Sequence, residues 1–247
     1  MSGHSKWSTI KRKKGAADAK RGAVFTRISK DITLAAREGG GDQDMNPALR
    51  LAIKNAKVAN MPAANIERAI NKGTGNLPGM KYENYVYEGY GPGGTAIMME
   101  VMTDNKNRTV PDIRHIMSKN GGNLGEQGCV NWMFEKKGTI TLSKDGIDED
   151  MILETSLDLG ADDFELEDDT IIITTKPENF GSVSKGLEDG GYELNGEIGL
   201  TPINMIKVNG PDAKQLLDLL EKLEEHEDIQ KVYSNFDLDE SEMESLL

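Results

Sequence analysis

The sequence predicts an α+β protein: an N-terminal three-helix domain followed by two α+β domains, one of them ferredoxin-like and inserted in the other. Three observations carry this. Apolar residues recur at steps of three and four up to about residue 73, and the period changes to two from Tyr82 onward. Six elements between about residues 138 and 197 follow the order βαββαβ. The chain of 247 residues is long enough for more than one core.

The elements follow in order. Phe25, Ile28, Ile32 and Ala35 form one apolar stripe, which "REGGG" terminates. Asn46 followed by Pro47 is a helix cap with proline in the first turn, and Leu49, Ile53 and Ala56 continue the stripe to Asn60. Pro62 opens a third helix through Ile66, Ala69 and Ile70, closed at Gly73. Before about Ala16 there is no apolar period, so that segment is expected to be extended and mobile when free. "YENYVYEG" and "TAIMMEVMT" read as strands joined by "YGPGG", then a helix across "RTVPDIRHIMSKN" and a third strand at "GCVNWMF". The βαββαβ set runs from "GTITLS" to "YELNGE". After it, "INMIKVN", "DAKQLLDLLEKLEEHE" and "DIQKVYSNF" read as a further βαβ. The expected units are therefore 1–76, a discontinuous domain of 77–136 and 199–238, an insert of 137–198, and a frayed acidic tail of 239–247.

Composition narrows the function classes. Hydrophobic residues make up 37% and charged residues 29%, and no apolar run approaches the ~20 residues of a membrane helix. The basic start leads into no apolar signal core, and it is lysine-rich where a transit peptide is arginine- and serine-rich, so a cytoplasmic protein is expected. The single cysteine, Cys129, excludes an internal disulfide framework and a thiolate zinc cluster.

Catalytic chemistry finds little support. "GYGPGG" satisfies G-x-G-x-x-G literally at Gly89, Gly91 and Gly94, but it runs into a strand where a dinucleotide site needs a helix N-terminus, so a hairpin turn is the better reading. His115 has no partner at metal-ligand spacing. His226 is expected on a solvated helix face among acids, and no H-E-x-x-H or G-x-S-x-G occurs. "DGIDED" and "LEDD" lack calcium-loop spacing, and Cys129 reads as part of an apolar strand. No enzyme activity, metal or cofactor is expected.

Charge distribution is more informative. The net charge is −13, yet up to Lys72 there are 15 Lys/Arg against 6 Asp/Glu, and the remainder is strongly acidic. Such a reversal points to a polyanion partner for the first part only. Lys6, Lys11, Arg12, Lys13, Lys14, Lys20 and Arg21 stand against one acid, Asp18. Trp7 beside Lys6 offers a ring that can stack on an unpaired base, as does His4. Arg27, Lys30 and Arg37 continue the charge along the first helix off its apolar stripe, and are expected to face the same partner. These twelve residues are the expected nucleic-acid contacts; the features leave DNA and RNA open.

"GHSKWSTIKRKKGAADAKRGAVFTRISKDI", "NPALRLAIKNAKVANMPAANIERAINKG" and the segment from "YEGYGPGG" through "TDNKNRT" to "NWMF" together resemble the YebC/PmpR family. The likeness is close from Ser2 to about Phe134, with Cys129, Met117 and Ile28-Ser29 as small departures. It implies a helical domain followed by two α+β domains. It also implies a non-enzymatic nucleic-acid-binding regulator of gene expression. Family members are described as DNA-binding transcriptional regulators, and also as ribosome-associated factors that relieve translational stalling, for example at consecutive prolines. Ribosomal RNA or DNA, and with it the ribosome, is the implied partner. No helix-turn-helix with a basic recognition face stands out, and the acidic domains would oppose wrapping on a duplex.

Overall fold

The computed structural model describes residues 21–76, 82–166 and 170–239. Helices α1 (Arg21–Gly39), α2 (Pro47–Val58) and α3 (Ala63–Gly73) share one core around Ile32, Leu49, Ala56 and Ile66, with Phe25 and Ile28 against its edge. Asn46 fixes the α1–α2 corner: its side-chain oxygen accepts the Leu49 N–H at 3.0 Å, and its amide donates to the Ala35 and Gly40 carbonyls at 2.8 Å each. Gly73 lets α3 lie close on α1, because a Cβ there would run into the Thr33 carbonyl and the Ala36 side chain.

The first sheet begins with the hairpin of β1 (Glu83–Tyr90) and β2 (Ala96–Thr103). Between them Gly93 and Gly94 sit at φ 69° and 74°, which confirms "GYGPGG" as a turn into a strand. Helix α4 (Lys106–Lys119) and the short β3 (Asn123–Leu124) follow. The chain then builds a second sheet before returning. Strand β4 (Phe134–Ser143), α5 (Glu149–Asp158), β5 (Ala161–Leu166), β6 (Thr170–Thr175), α6 (Phe180–Asp189) and β7 (Leu194–Pro202) give an antiparallel sheet in the order β5-β6-β4-β7. That order is the ferredoxin-like one. Helices α5 and α6 cover one face through Ile152, Val183 and Leu187 packed on Ile140, Ile171 and Ile173.

On its return the chain forms β8 (Ile206–Lys207), α7 (Gly210–Glu225), β9 (Ile229–Ser234) and β10 (Phe236–Asp237). Strand β9 pairs antiparallel with β2 and completes the order β3-β1-β2-β9. Every residue of β2 but Glu100 is buried, because Ile97, Met99 and Val101 pack on α4 and α7 while Ala96 and Met98 face a second core with Phe134 and Tyr233. This two-sided burial explains why "AIMMEVM" is nearly unbroken in apolar character. Helix α7 buries Leu216, Leu219, Leu220 and Leu223 along one stripe.

Three expectations are corrected. "GCVNWMF" is not a separate strand: only Phe134 enters β4, and Asn131–Met133 is a turn of 3₁₀-helix. The cause is Glu88, whose buried carboxylate accepts the backbone N–H groups of Gly128, Val130 and Asn131 at 2.8–2.9 Å and takes them away from any ladder. Cys129 accordingly lies in this loop, half-buried. The last βαβ is also not a unit within one sheet, since β8 pairs in parallel with β10 while β9 joins β2. Strands β4 and β7 pair from Phe134 to Pro202, slightly beyond the expected insert. Residues 240–247 of the expected acidic tail lie outside the described residues.

Burial, together with the Glu88 charge, pushes the Cys129 thiol upward. Glu88→Ala would leave three loop N–H groups without their acceptor, at a cost of about 3 kcal/mol or more. Chemical denaturation is expected to show that loss, and Cys129 is expected to react several times faster with a thiol reagent. Unchanged stability and labelling would contradict the assigned role of Glu88.

Candidate nucleic-acid interface

Helix α1 uses its faces for different purposes. Its apolar face packs inside the helical domain, and its opposite side meets the α+β body. Lys30 is only 5% exposed and Asp228, just ahead of β9, only 1%. Their charged atoms lie 2.5 Å apart. The Lys30 ammonium spends its remaining donors on the Glu227 carbonyl at 3.0 Å and the Met102 carbonyl at 3.2 Å. The second Asp228 oxygen accepts from Thr109 at 2.7 Å, Arg108 at 2.8 Å and Thr103 at 3.3 Å. Asn105 caps α4 by accepting the Arg108 N–H, and Arg108 also pairs with Asp104 at 3.1 Å. The stretch "TDNKNRT" is thus the receptor for Lys30: it aims two hydroxyls and a guanidinium at the carboxylate that Lys30 needs.

Burial alone would raise the Asp228 pKa, but hydrogen bonds from Lys30, Arg108 and Thr109 and the Lys30 charge outweigh it and hold the carboxyl well below the usual range. His226 stands at the C-terminal cap of α7, not on a solvated face. Its Nδ1 accepts the Asp228 N–H at 3.1 Å, and burial lowers its pKa, so the neutral ring that this bond requires is favoured. Arg27 donates to the Glu224 carbonyl at the end of α7.

This geometry alters the expectation for α1. Arg27 and Lys30 have protein partners across the joint between the helical domain and the body, so they do not face outward as the off-stripe position predicts. The reason is that the side of α1 turned away from the helical core meets the end of α7 and the residues leading into β9. Arg37 is exposed and donates to the Tyr82 carbonyl at 3.2 Å. Arg21 opens α1. His4, Lys6, Trp7, Lys11, Arg12, Lys13, Lys14 and Lys20 lie outside the described residues.

Beside the joint the structure brings together residues that sequence reading passed over. Thr26, Ser29, Lys30 and Thr33 of α1 face Asn65, Arg68, Ala69 and Lys72 of α3 across a groove of about 280 Å³, closed at one side by Tyr82. Lys72 Nζ lies 5.1 Å from the centre of the Tyr82 ring and 3.4 Å from its hydroxyl, while Lys30 lies 5.5 Å from the same ring. The sequence signal was present as two polar sets at helical 3–4 spacing, but neither is visible as a pair until the helices are packed. A larger hollow, about 600 Å³, separates Lys54 of α2 from β4 and β7, but Glu188 and Glu193 line it. Among the described residues no group of three or more His, Cys, Asp and Glu could hold a metal ion, and no helix is long and apolar enough to cross a membrane.

Asp228→Asn is expected to destabilise the protein by about 3–5 kcal/mol at neutral pH, because it strips a buried cation of its charge partner. Since the folded pKa is depressed, the native contribution is complete above the unfolded carboxylate value of ~3.9 and is lost as pH falls from there through the folded value. The gap between native and Asp228→Asn stability should therefore narrow in acid. Equal stability of the two proteins at neutral pH would contradict this account of the joint.

Comparison with known proteins places the fold. Residues 5–76 match the model of the TACO1/YebC protein N-terminal domain, and residues 82–236 match that of the TACO1/YebC second and third domain. A "probable transcriptional regulatory protein" of Dictyoglomus turgidum is 52% identical over the full length of both chains. One of Syntrophus aciditrophicus is 55% identical, covering 100% of this chain and 99% of its own. The crystal structure of a conserved hypothetical protein from Aquifex aeolicus superposes with a TM-score of 0.81 at 43% identity, over 90% of this chain and 93% of that one. The chain therefore belongs to the TACO1/YebC family.

Proposed function

We propose that this protein is a nucleic-acid-binding regulator of gene expression that acts by positioning its target, with no catalytic residue of its own. The observation that carries this is the segregation of charge: 15 Lys/Arg against 6 Asp/Glu up to Lys72, in a chain whose net charge is −13. The basic arm, with Lys6, Lys11, Arg12, Lys13, Lys14, Lys20 and Arg21, and Arg37 beyond it, supplies phosphate contacts. The acidic body is held on the far side of the Lys30–Asp228 joint, where it repels a phosphate backbone and restricts how the target lies.

Two targets fit. The relatives, described as probable transcriptional regulatory proteins, favour DNA and a role in transcription. Trp7 and His4 in the arm favour RNA with unpaired bases, and with it the ribosome and translation, since rings of this kind stack on bases that have left a helix. An arm that neutralises about five phosphates gives a slope near −3.5 for log K against log salt on single strands.

Deleting residues 1–14 is expected to remove most of that slope while the remainder stays folded, as read by titration at several salt concentrations. Undiminished salt-dependent binding by the shortened protein would sink the reading. Trp7→Ala is expected to cost about 1–3 kcal/mol with little change in slope. Competition between a defined promoter, random duplex and ribosomes at physiological ionic strength separates the targets. A promoter preferred about 10³-fold over random duplex is expected for transcription, and arm-dependent ribosome binding that outcompetes duplex is expected for translation.

A further inference from the structure

The groove between α1 and α3 has chemistry that the joint beside it does not use. Lys30 is fully engaged by Asp228 and two carbonyls, and the single proton of the Thr33 hydroxyl faces the Ser29 carbonyl at 2.8 Å, with the Ala69 carbonyl at 3.2 Å. Arg68 and Lys72 differ. Arg68 is exposed, and neither it nor Lys72 is paired with a carboxylate among the described residues. Among the described residues no acid lines the groove, in a protein with 42 Asp and Glu. The larger hollow between Lys54 and the second sheet carries two glutamates, which this groove does not.

Two cations one helical turn apart, with the Ser29 and Asn65 side chains at the rim, suit a tetrahedral anion. The guanidinium offers a planar fork of donors and the ammonium a compact charge. The space, about 280 Å³, is of the order of one nucleotide and too narrow for a duplex. Tyr82 adds an aromatic wall. Thr26 lies about 7.5 Å along α1 from Arg21, the first residue of that helix.

Resting on the nucleic-acid reading above, we infer that the α1–α3 groove is a subsite for one unpaired nucleotide of a single strand, whose phosphate is held between Arg68 and Lys72. The groove gives the protein a preference for single strands over duplex that the arm alone does not supply.

The test uses the full chain and fluorescent oligonucleotides of roughly 12 nucleotides, as RNA, as DNA of the same sequence and as the DNA duplex, followed by anisotropy across a salt series. Arg68→Ala/Lys72→Ala is compared with Lys54→Ala/Lys57→Ala, which removes the same charge from α2. Both leave the cores intact, and matching thermal unfolding checks this. The groove variant is expected to bind single strands roughly tenfold more weakly, with a salt slope smaller by about 0.7 for one lost phosphate. The α2 variant is expected to lose much less, and duplex binding should separate the two variants little. Arg68→Lys/Lys72→Arg should restore the slope. Whichever single strand binds more tightly identifies the source as RNA or DNA. Equal losses in the two double variants, or a loss confined to duplex, would overturn the groove while leaving the nucleic-acid reading intact. Absence of salt-dependent binding by the unaltered protein to all three probes would overturn both.

Discussion

The contact between Lys30 and Asp228 is the constraint on which the rest of the arrangement depends. Among the described residues, no large apolar seam holds the basic three-helix domain to the acidic α+β body; the cores of the helices and of the two sheets are separate clusters. What joins them is polar: the buried Lys30 ammonium meets the buried Asp228 carboxylate and two backbone carbonyls, and that carboxylate is also held by Thr103, Thr109 and the partly exposed Arg108. A buried ion pair is weak support for stability in general, because desolvation offsets much of the attraction. It is strong support for specificity of placement, because a misplaced Lys30 would leave both ions unsatisfied. The joint therefore sets orientation more than it adds stability.

Orientation matters because of charge. The body carries most of the 42 acidic residues. If it could swing freely past the helices, it would, on the proposed reading, compete with a phosphate target for the basic residues. Fixing α1 against α7 and β9 keeps that acid at a set distance, and it also forms one wall of the groove, since Tyr82 reaches it from the strand side. On the proposed nucleic-acid reading, the "TDNKNRT" stretch would act on binding indirectly. It builds the receptor that holds α1 in place.

The sequence made much of this legible where a single element decides the outcome. The α1 stripe, the Asn46–Pro47 cap, the "GYGPGG" hairpin turn and the βαββαβ order are all local patterns, and each has its local counterpart in the structure. It was silent where partners come from far apart. Glu88 reads as an ordinary strand residue, and only the loop it captures 40 residues later explains why "GCVNWMF" is not a strand. Lys30 reads as an outward cation because helical periodicity reports a side chain's face, not what covers that face. Asp228 sits 198 residues from its partner, and nothing in "HEDIQKVY" marks it. Arg68 and Lys72 were hidden for the same reason.

The most direct measurement of the central claim is a double-mutant cycle between Lys30→Met and Asp228→Asn, read by equilibrium unfolding at neutral pH. A coupling energy of about 2 kcal/mol or more is expected, with the double variant little worse than either single one, because each removes the same contact. Additive effects, with a coupling below about 0.5 kcal/mol, would contradict the joint and with it the fixed placement of the acidic body.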